Sequence, residues 1–245
     1  MQLKTTDIHN HLLPGVDDGF ATVEESLEAI RGLSAAGVDE LVFTPHINPD
    51  VYPQNDEDRM RQVYGEFRPL LPDGLKTSLA AEYMICADFE KDIAKRAGGL
   101  LCYEDRSVLV EMSYFFRSPN LEAALFELQM AGFKPILAHP ERYLYMADSL
   151  EDFDRLHENG CRFQLNYISF AGVYGRDSVK IIRYLARRGY CDFVATDLHS
   201  IHQLERILSS NPAFLLRKPF TKFLNPNQLP WTTNFTQKPE WRWFN

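Results

Sequence analysis

A chain of 245 residues with 45% hydrophobic and 24% charged side chains can bury one large core, and its length suits a single α/β barrel. No apolar run approaches the roughly 18 residues that a membrane span needs, and a formal charge of −8 with no Lys/Arg cluster argues against a long nucleic acid as partner. The N-terminus meets an acidic residue before any apolar stretch, unlike a signal peptide, and the four cysteines Cys86, Cys102, Cys161 and Cys191 form no C-x-x-C pair, so a cytoplasmic protein with free thiols is expected.

Short β-rich runs alternate with amphipathic helical stretches along the chain. The first strand is expected at 5–10 and ends in His9 and His11 of DIHNHLLPGVDDG. Thr22-Val23-Glu24-Glu25 reads as a capping box for a helix closed by Gly37. Strands at 40–44, 77–82 and 108–112 follow, leading to His46 in TPH, Glu82 in AAEY and Glu111 in LVEM. ADFEKDIAKRAGG lies between the last two as a helix. Ser118-Pro119 puts proline at a first helical position before LEAALFELQMAG. A strand at 135–139 ends in His139 of LAHPER. The helix SLEDFDRLHENG leads to a strand at 162–166, and DSVKIIRYLARRGY to a last strand at 193–196, followed by Asp197 and His199 in TDLHS. Strands separated by helices predict a parallel sheet, here closed into a barrel, with the metal-capable residues gathered at the C-terminal strand ends where such barrels build their sites. His157 and His202 fall in helices and read as surface or packing residues.

Two histidines two apart on a strand share one face, so His9 and His11 can reach one ion. Any of the others has an ordinary reading: Glu82 as an ion-pair partner, His46 as a loop histidine, Asp197 as a helix cap. Their coincidence at one end of successive strands points instead to a metal centre. Histidine and carboxylate without cysteine suit manganese, iron or zinc, and the ligands exceed what one ion can use. Two or three ions bridged by a carboxylate support hydrolysis of a phosphate ester by a metal-activated hydroxide, without a protein nucleophile. No cysteine is followed by arginine six positions later, and neither a P-loop nor G-x-S-x-G occurs.

HNH…DDG, TPH, AAEY, LVEMS, LAHPERY and TDLHS, in this order, resemble the PHP (polymerase and histidinol phosphatase) family. The wording DIHNHLLPGVDDG, AAEYM, EMSYFF and LAHPERY is more similar to one branch, the metal-dependent protein-tyrosine phosphatases of bacterial capsule and exopolysaccharide loci. The resemblance covers residues 7–208. It implies a distorted seven-stranded (β/α) barrel at 1–210 that holds three divalent ions, usually manganese. By that resemblance His9, His11, Glu82 and Asp197 hold the first ion, and Asp18, His46 and His199 the second. Glu82 bridges to a third that Glu111 and His139 complete. Arg142, three past His139, would hold the phosphate, for which a guanidinium fork is suited. The family's second arginine falls at Leu204 here, with Arg206 nearby as a substitute. The substrate implied is phosphotyrosine on the tail of a tyrosine kinase that controls polysaccharide export. A small-metabolite phosphatase of the histidinol phosphate type, a phosphodiesterase and a non-catalytic metal-binding regulator are the alternatives. A protein substrate needs an open cleft, and the one sizeable loop at the metal face, INPDVYPQNDED, could line its rim. Residues 211–245 are rich in Pro, Asn and aromatics, hold all three Trp, and read as a tail packed on the barrel.

Overall fold

The computed structural model describes residues 6–210 apart from 88, 90–92 and 94–98. Thr22 opens helix α1 (Val23–Ala35) as its sequence dictates: the hydroxyl accepts from the Glu25 amide at 3.2 Å, and Ala29, Ile30 and Leu33 are buried on one face. Gly37 closes the turn that follows with φ 104°, a conformation that strains any residue with a Cβ. Among the described residues the further helices are α2 (Glu57–Phe67), α3 (Leu121–Met130), α4 (Glu151–Glu158), α5 (Gly175–Arg188) and α6 (Ile201–Ser209). Helix α2 starts at the last two residues of the loop expected at 47–58 and continues through residues for which no element is expected. Asp56 caps it by accepting from the Arg59 amide at 2.8 Å, and Met60 and Phe67 anchor it. Pro119 stands outside α3, whose N-cap is Asn120. The expected helix at 87–99 falls largely, and the expected tail at 211–245 wholly, outside the described residues.

The strands are β1 (Thr6–Asp7), β2 (Glu40–Phe43), β3 (His46–Ile47), β4 (Lys76–Leu79), β5 (Glu82–Met84), β6 (Ser107–Glu111), β7 (Lys134–Ala138), β8 (Arg162–Asn166) and β9 (Phe193–Ala195). Every pairing between them is parallel. In place of one seven-stranded ladder they form a three-stranded sheet, β1-β2-β4, and a six-stranded sheet, β3-β5-β6-β7-β8-β9. The expected strand at 40–44 is β2, with β3 beyond it, and the expected run 77–82 breaks between β4 and β5. Pro45 has no amide to donate, so the ladder lapses between β2 and β3. Across the gap the chain is carried by Ala80 N to Phe43 O at 2.8 Å and Glu82 N to Pro45 O at 3.1 Å.

Of the expected first strand, only Thr6–Asp7 enters a ladder, followed by an isolated parallel bridge between Asn10 and Leu198. The segment after β1 lies between the ends of two other strands. On one side Asp197 N donates to His9 O at 2.8 Å and His11 N to Leu198 O at 3.0 Å; on the other, Thr44 N donates to Asn10 O at 3.1 Å. Alternation along the strands sorts the core. Leu109, Ile136 and Ala138 make a small cluster of their own, while Val108, Val110 and Leu137 join the large core. Glu111 therefore continues the Leu109 side of β6. His139, one past β7, departs from the alternation through a left-handed backbone, φ 34°, and Asp197 after β9 has φ 50°. Left-handed residues other than glycine are uncommon, and here two candidate ligands adopt that conformation.

Candidate metal and phosphate site

Glu82 begins β5 directly beside His46 in β3 and is fully buried. Its Oε2 lies 3.3 Å from His9 Nε2, 3.4 Å from His11 Nε2 and 3.2 Å from His46 Nδ1, yet makes no well-formed hydrogen bond. Its Oε1 lies 3.0 Å from His139 Nε2. Asp197 is the second focus: Oδ1 is 3.3 Å from His9 Nε2 and 3.5 Å from both His11 Nε2 and His199 Nδ1. His46 Nδ1 also meets Glu111 Oε1 at 2.9 Å, and Asp18 Oδ1 lies 3.4 Å from His46 Nε2 and 3.6 Å from His199 Nε2.

Every residue expected as a ligand enters one of four groups whose ligand atoms lie within 4.8 Å of one another. The groups are His11 with Asp18, His46 and His199; His9 with His11 and Glu82; His9 with His139 and Asp197; and His46 with Glu82 and Glu111. The partition differs from the one the resemblance implies, since His139 groups with His9 and Asp197, and Glu111 with His46.

The electrostatics fit divalent ions. Burial opposes ionisation of Glu82 and Asp197, but the charge of His9 and the other imidazoles around them hold both well below the usual carboxylate range. Burial likewise opposes a charge on His9, His11 and His46, and for His46 so does the charge of His11. Glu82 and Asp197 beside His9, Asp17 beside His11, and Glu111 and Asp18 beside His46 nonetheless raise all three above the ordinary imidazole value. His199, buried and facing His11, falls to about 4. Protons on these imidazoles offset the negative charge of a buried cluster. A carboxylate oxygen ringed by imidazole nitrogens without a satisfied hydrogen bond is a donor set for metal, and its N and O atoms suit manganese, iron or zinc.

Several supporting residues carry no obvious mark in the sequence. Asp17, adjacent to the expected Asp18, orients two imidazole-bearing residues: Oδ2 pairs with His11 Nδ1 at 2.9 Å and accepts from the His46 amide at 3.0 Å. Gln164 Oε1 meets His9 Nδ1 at 2.7 Å, and Gln164 passes the chain on to Asn166 at 3.0 Å, which donates to Asp197 Oδ2 at 2.5 Å. The one available signal was the alternation in RFQLN, where polar 164 and 166 interleave with apolar 163 and 165. Such outer partners fix tautomer and ring orientation.

Arg142 ends a 3₁₀ turn, Pro140–Arg142, that follows His139. Its Nη1 donates to Asp197 Oδ2 at 3.1 Å. Its guanidinium carbon sits 4.1 Å from the Tyr114 ring centroid and 4.9 Å from that of Tyr174. A cleft of about 560 Å³ opens over the cluster, lined by Asp18, His46, Glu111, Asp197, His199 and Arg142, with Tyr52, Tyr114, Tyr174, Gln203 and Arg206 around them. Leu204 lies on the opposite face of α6 and is buried. Arg206 shares the cleft face with Gln203, three residues back.

Comparison with known proteins identifies relatives of this chain. The chain is 28% identical over 218 residues to tyrosine-protein phosphatase YwqE of Bacillus subtilis, covering 87% of this chain and 84% of that protein. It is 27% identical over 203 residues to tyrosine-protein phosphatase CpsB of Streptococcus pneumoniae, covering 80% and 83%. A crystal structure from work on YwqE and CpsB, described as unique metal-dependent tyrosine phosphatases, superposes with a TM-score of 0.72 at 27% identity, covering 92% of this chain and 96% of that one. Histidinol phosphate phosphatase of Lactococcus lactis, at 15% identity and a TM-score of 0.51 over 90% of this chain and 94% of its own, shares the fold. The model of the capsular polysaccharide synthesis family CpsB/CapC matches residues 5–219, and the chain belongs to that family.

Proposed function

We propose that this protein is a metal-dependent protein-tyrosine phosphatase, acting on the phosphorylated tail of a tyrosine kinase that controls polysaccharide export. The observation that carries the reading is the ring of imidazoles around the buried Glu82 Oε2, next to an accessible cleft that His46, Asp197, His199 and Arg142 line. The names of YwqE and CpsB support the substrate class. His9, His11, Asp18, His46, Glu82, Glu111, His139, Asp197 and His199 would hold three divalent ions, manganese in this reading. Bound there, such ions acidify a water and polarise a phosphoryl oxygen.

The chain supplies the rest. Arg142 takes phosphoryl oxygens with its fork, and Arg206 on the rim adds a second positive charge. Asp17 and Gln164 hold His11 and His9 in register. No protein nucleophile is needed, in keeping with thiols that burial pushes up, Cys161 to about 12. The two sheets are read as one distorted seven-stranded barrel of the PHP type, joined through the Asn10–Leu198 bridge. The buried thiols of Cys161 and Cys191 favour a cytoplasmic location. The test is a hydrolysis panel on manganese-reconstituted protein. Phosphotyrosine peptides should be turned over with the highest kcat/KM, ahead of histidinol phosphate and a phosphodiester. Preference for either of the latter reassigns the substrate, and no turnover of any leaves a metal-binding regulator.

A further inference from the structure

We infer that Tyr114 and Tyr174 are positioning residues that clamp the Arg142 guanidinium beside Asp197, and so set how tightly the site takes a phosphoryl group. The inference rests on the phosphatase reading above and assigns Tyr114 and Tyr174 a task toward Arg142 rather than toward the metal. Arginine side chains have many rotamers, and a phosphate contact made by a free one loses part of its strength to ordering. Here the guanidinium is held from three directions by three separate pieces of chain. Tyr114, three residues past the end of β6, lies 4.1 Å away. Tyr174, immediately before α5, lies 4.9 Å away. Asp197, after β9, accepts from Nη1 at 3.1 Å.

Both rings are themselves held. Tyr114 stacks on Tyr143 at 6.2 Å, and its hydroxyl lies 3.3 Å from His139 Nε2. Tyr174 sits in a tight turn between Gly172 and Gly175, with φ 75° and 88°. Among the described residues the guanidinium hydrogen bond is the one from Nη1 to Asp197, which leaves the other donors of the fork for the cleft that Arg142 lines.

The experiment uses the full chain loaded with manganese and measures the Kd of inorganic phosphate by calorimetry, beside KM and kcat for an aryl phosphate, metal content and Tm. Tyr114→Phe and Tyr174→Phe keep the ring face and should each hold the phosphate Kd within about twofold. Tyr114→Leu and Tyr174→Leu should each weaken it about three- to thirtyfold, the range of a cation–π contact. KM should rise in parallel, with kcat and metal content little changed. In an Arg142→Ala background the same Leu substitutions should have no further effect. The clamp is overturned if Leu costs as much without Arg142, if Phe loses as much as Leu, or if Leu leaves the Kd unchanged. Should Tyr114→Leu lose metal through its His139 contact, Tyr174→Leu decides. Wild-type protein that binds phosphate but hydrolyses no phosphomonoester overturns the phosphatase reading while the binding cycle still judges the clamp. Wild-type protein that binds no phosphate overturns the clamp.

Discussion

Asp17 shows how much of the proposed metal centre rests on residues outside the expected ligand set. Its carboxylate holds His11 through Nδ1 and the His46 backbone through its amide. Asp17→Asn should therefore lower apparent manganese affinity about 10- to 100-fold, the usual cost of losing an outer partner, with the fold intact; a metal titration followed by elemental analysis reads this. DDG marks two adjacent carboxylates in the sequence, and only the turn that folds them decides which faces the imidazole and which the cleft. The histidines also set a pH dependence for protein stripped of metal. Burial resists their protonation, but the neighbouring carboxylates raise His9, His11 and His46 above the ordinary value. A group raised on folding gives stability that is complete below its unfolded pKa, about 6.5, and lost as pH rises through the folded value. His199, lowered to about 4, is neutral in both states above that range. Chelated protein should thus melt at a lower temperature at pH 9 than at pH 7, and a Tm that climbs over the interval contradicts the assignment.

At the scale of elements, the turn after the first strand and helix α6 each test the placement of the site. A Cβ on Gly19 would stand 2.2 Å from the His11 carbonyl oxygen and 2.7 Å from His11 Cβ. Neither atom can yield without moving His11, so Gly19→Ala should lower both metal content and Tm, measurable side by side. Helix α6 turns Leu204 into the core and Arg206 toward the cleft. Leu204→Arg would restore an arginine at the position the resemblance expects, yet bury an unpaired charge. It should cost about 3 kcal/mol or more of stability without tightening phosphate binding, whereas Arg206→Ala should raise KM with Tm unchanged. Urea melts and steady-state kinetics separate the two. The helical period of α6 was legible, as were the β-then-α order and the cap at Thr22. Helix α2 was not, because Met60 and Phe67 are few apolar anchors among many charges. The break at Ala80-Ala81 was hidden for a different reason: no glycine or proline marks it.

For the whole molecule, the sequence order of ligands predicted their convergence because parallel strands present all their C-terminal ends to one side. What it could not supply was the pairing between imidazoles and carboxylates, which depends on the left-handed turns at His139 and Asp197. Nor could it supply the aromatic hold on Arg142, built from loops far apart in the chain. The same convergence leaves no part for sulfur. Cys161 and Cys191 are buried, and Cys86 and Cys102 only partly exposed. A variant with all four changed to serine should keep hydrolysis within about threefold once folded and metal-loaded, while chelation abolishes it; loss of turnover in that variant would point to covalent chemistry. The contact of Thr196 with Asp7, 189 positions apart in the chain at 2.6 Å, has a consequence in time. A ribosome adding 5–20 residues per second needs roughly 10–40 s to travel from the first histidine of the cluster to the last. Throughout that interval the nascent chain carries an incomplete set of the candidate ligands, so a site that needs all of them would take its ion only after His199 has been added, from whatever the surroundings then offer.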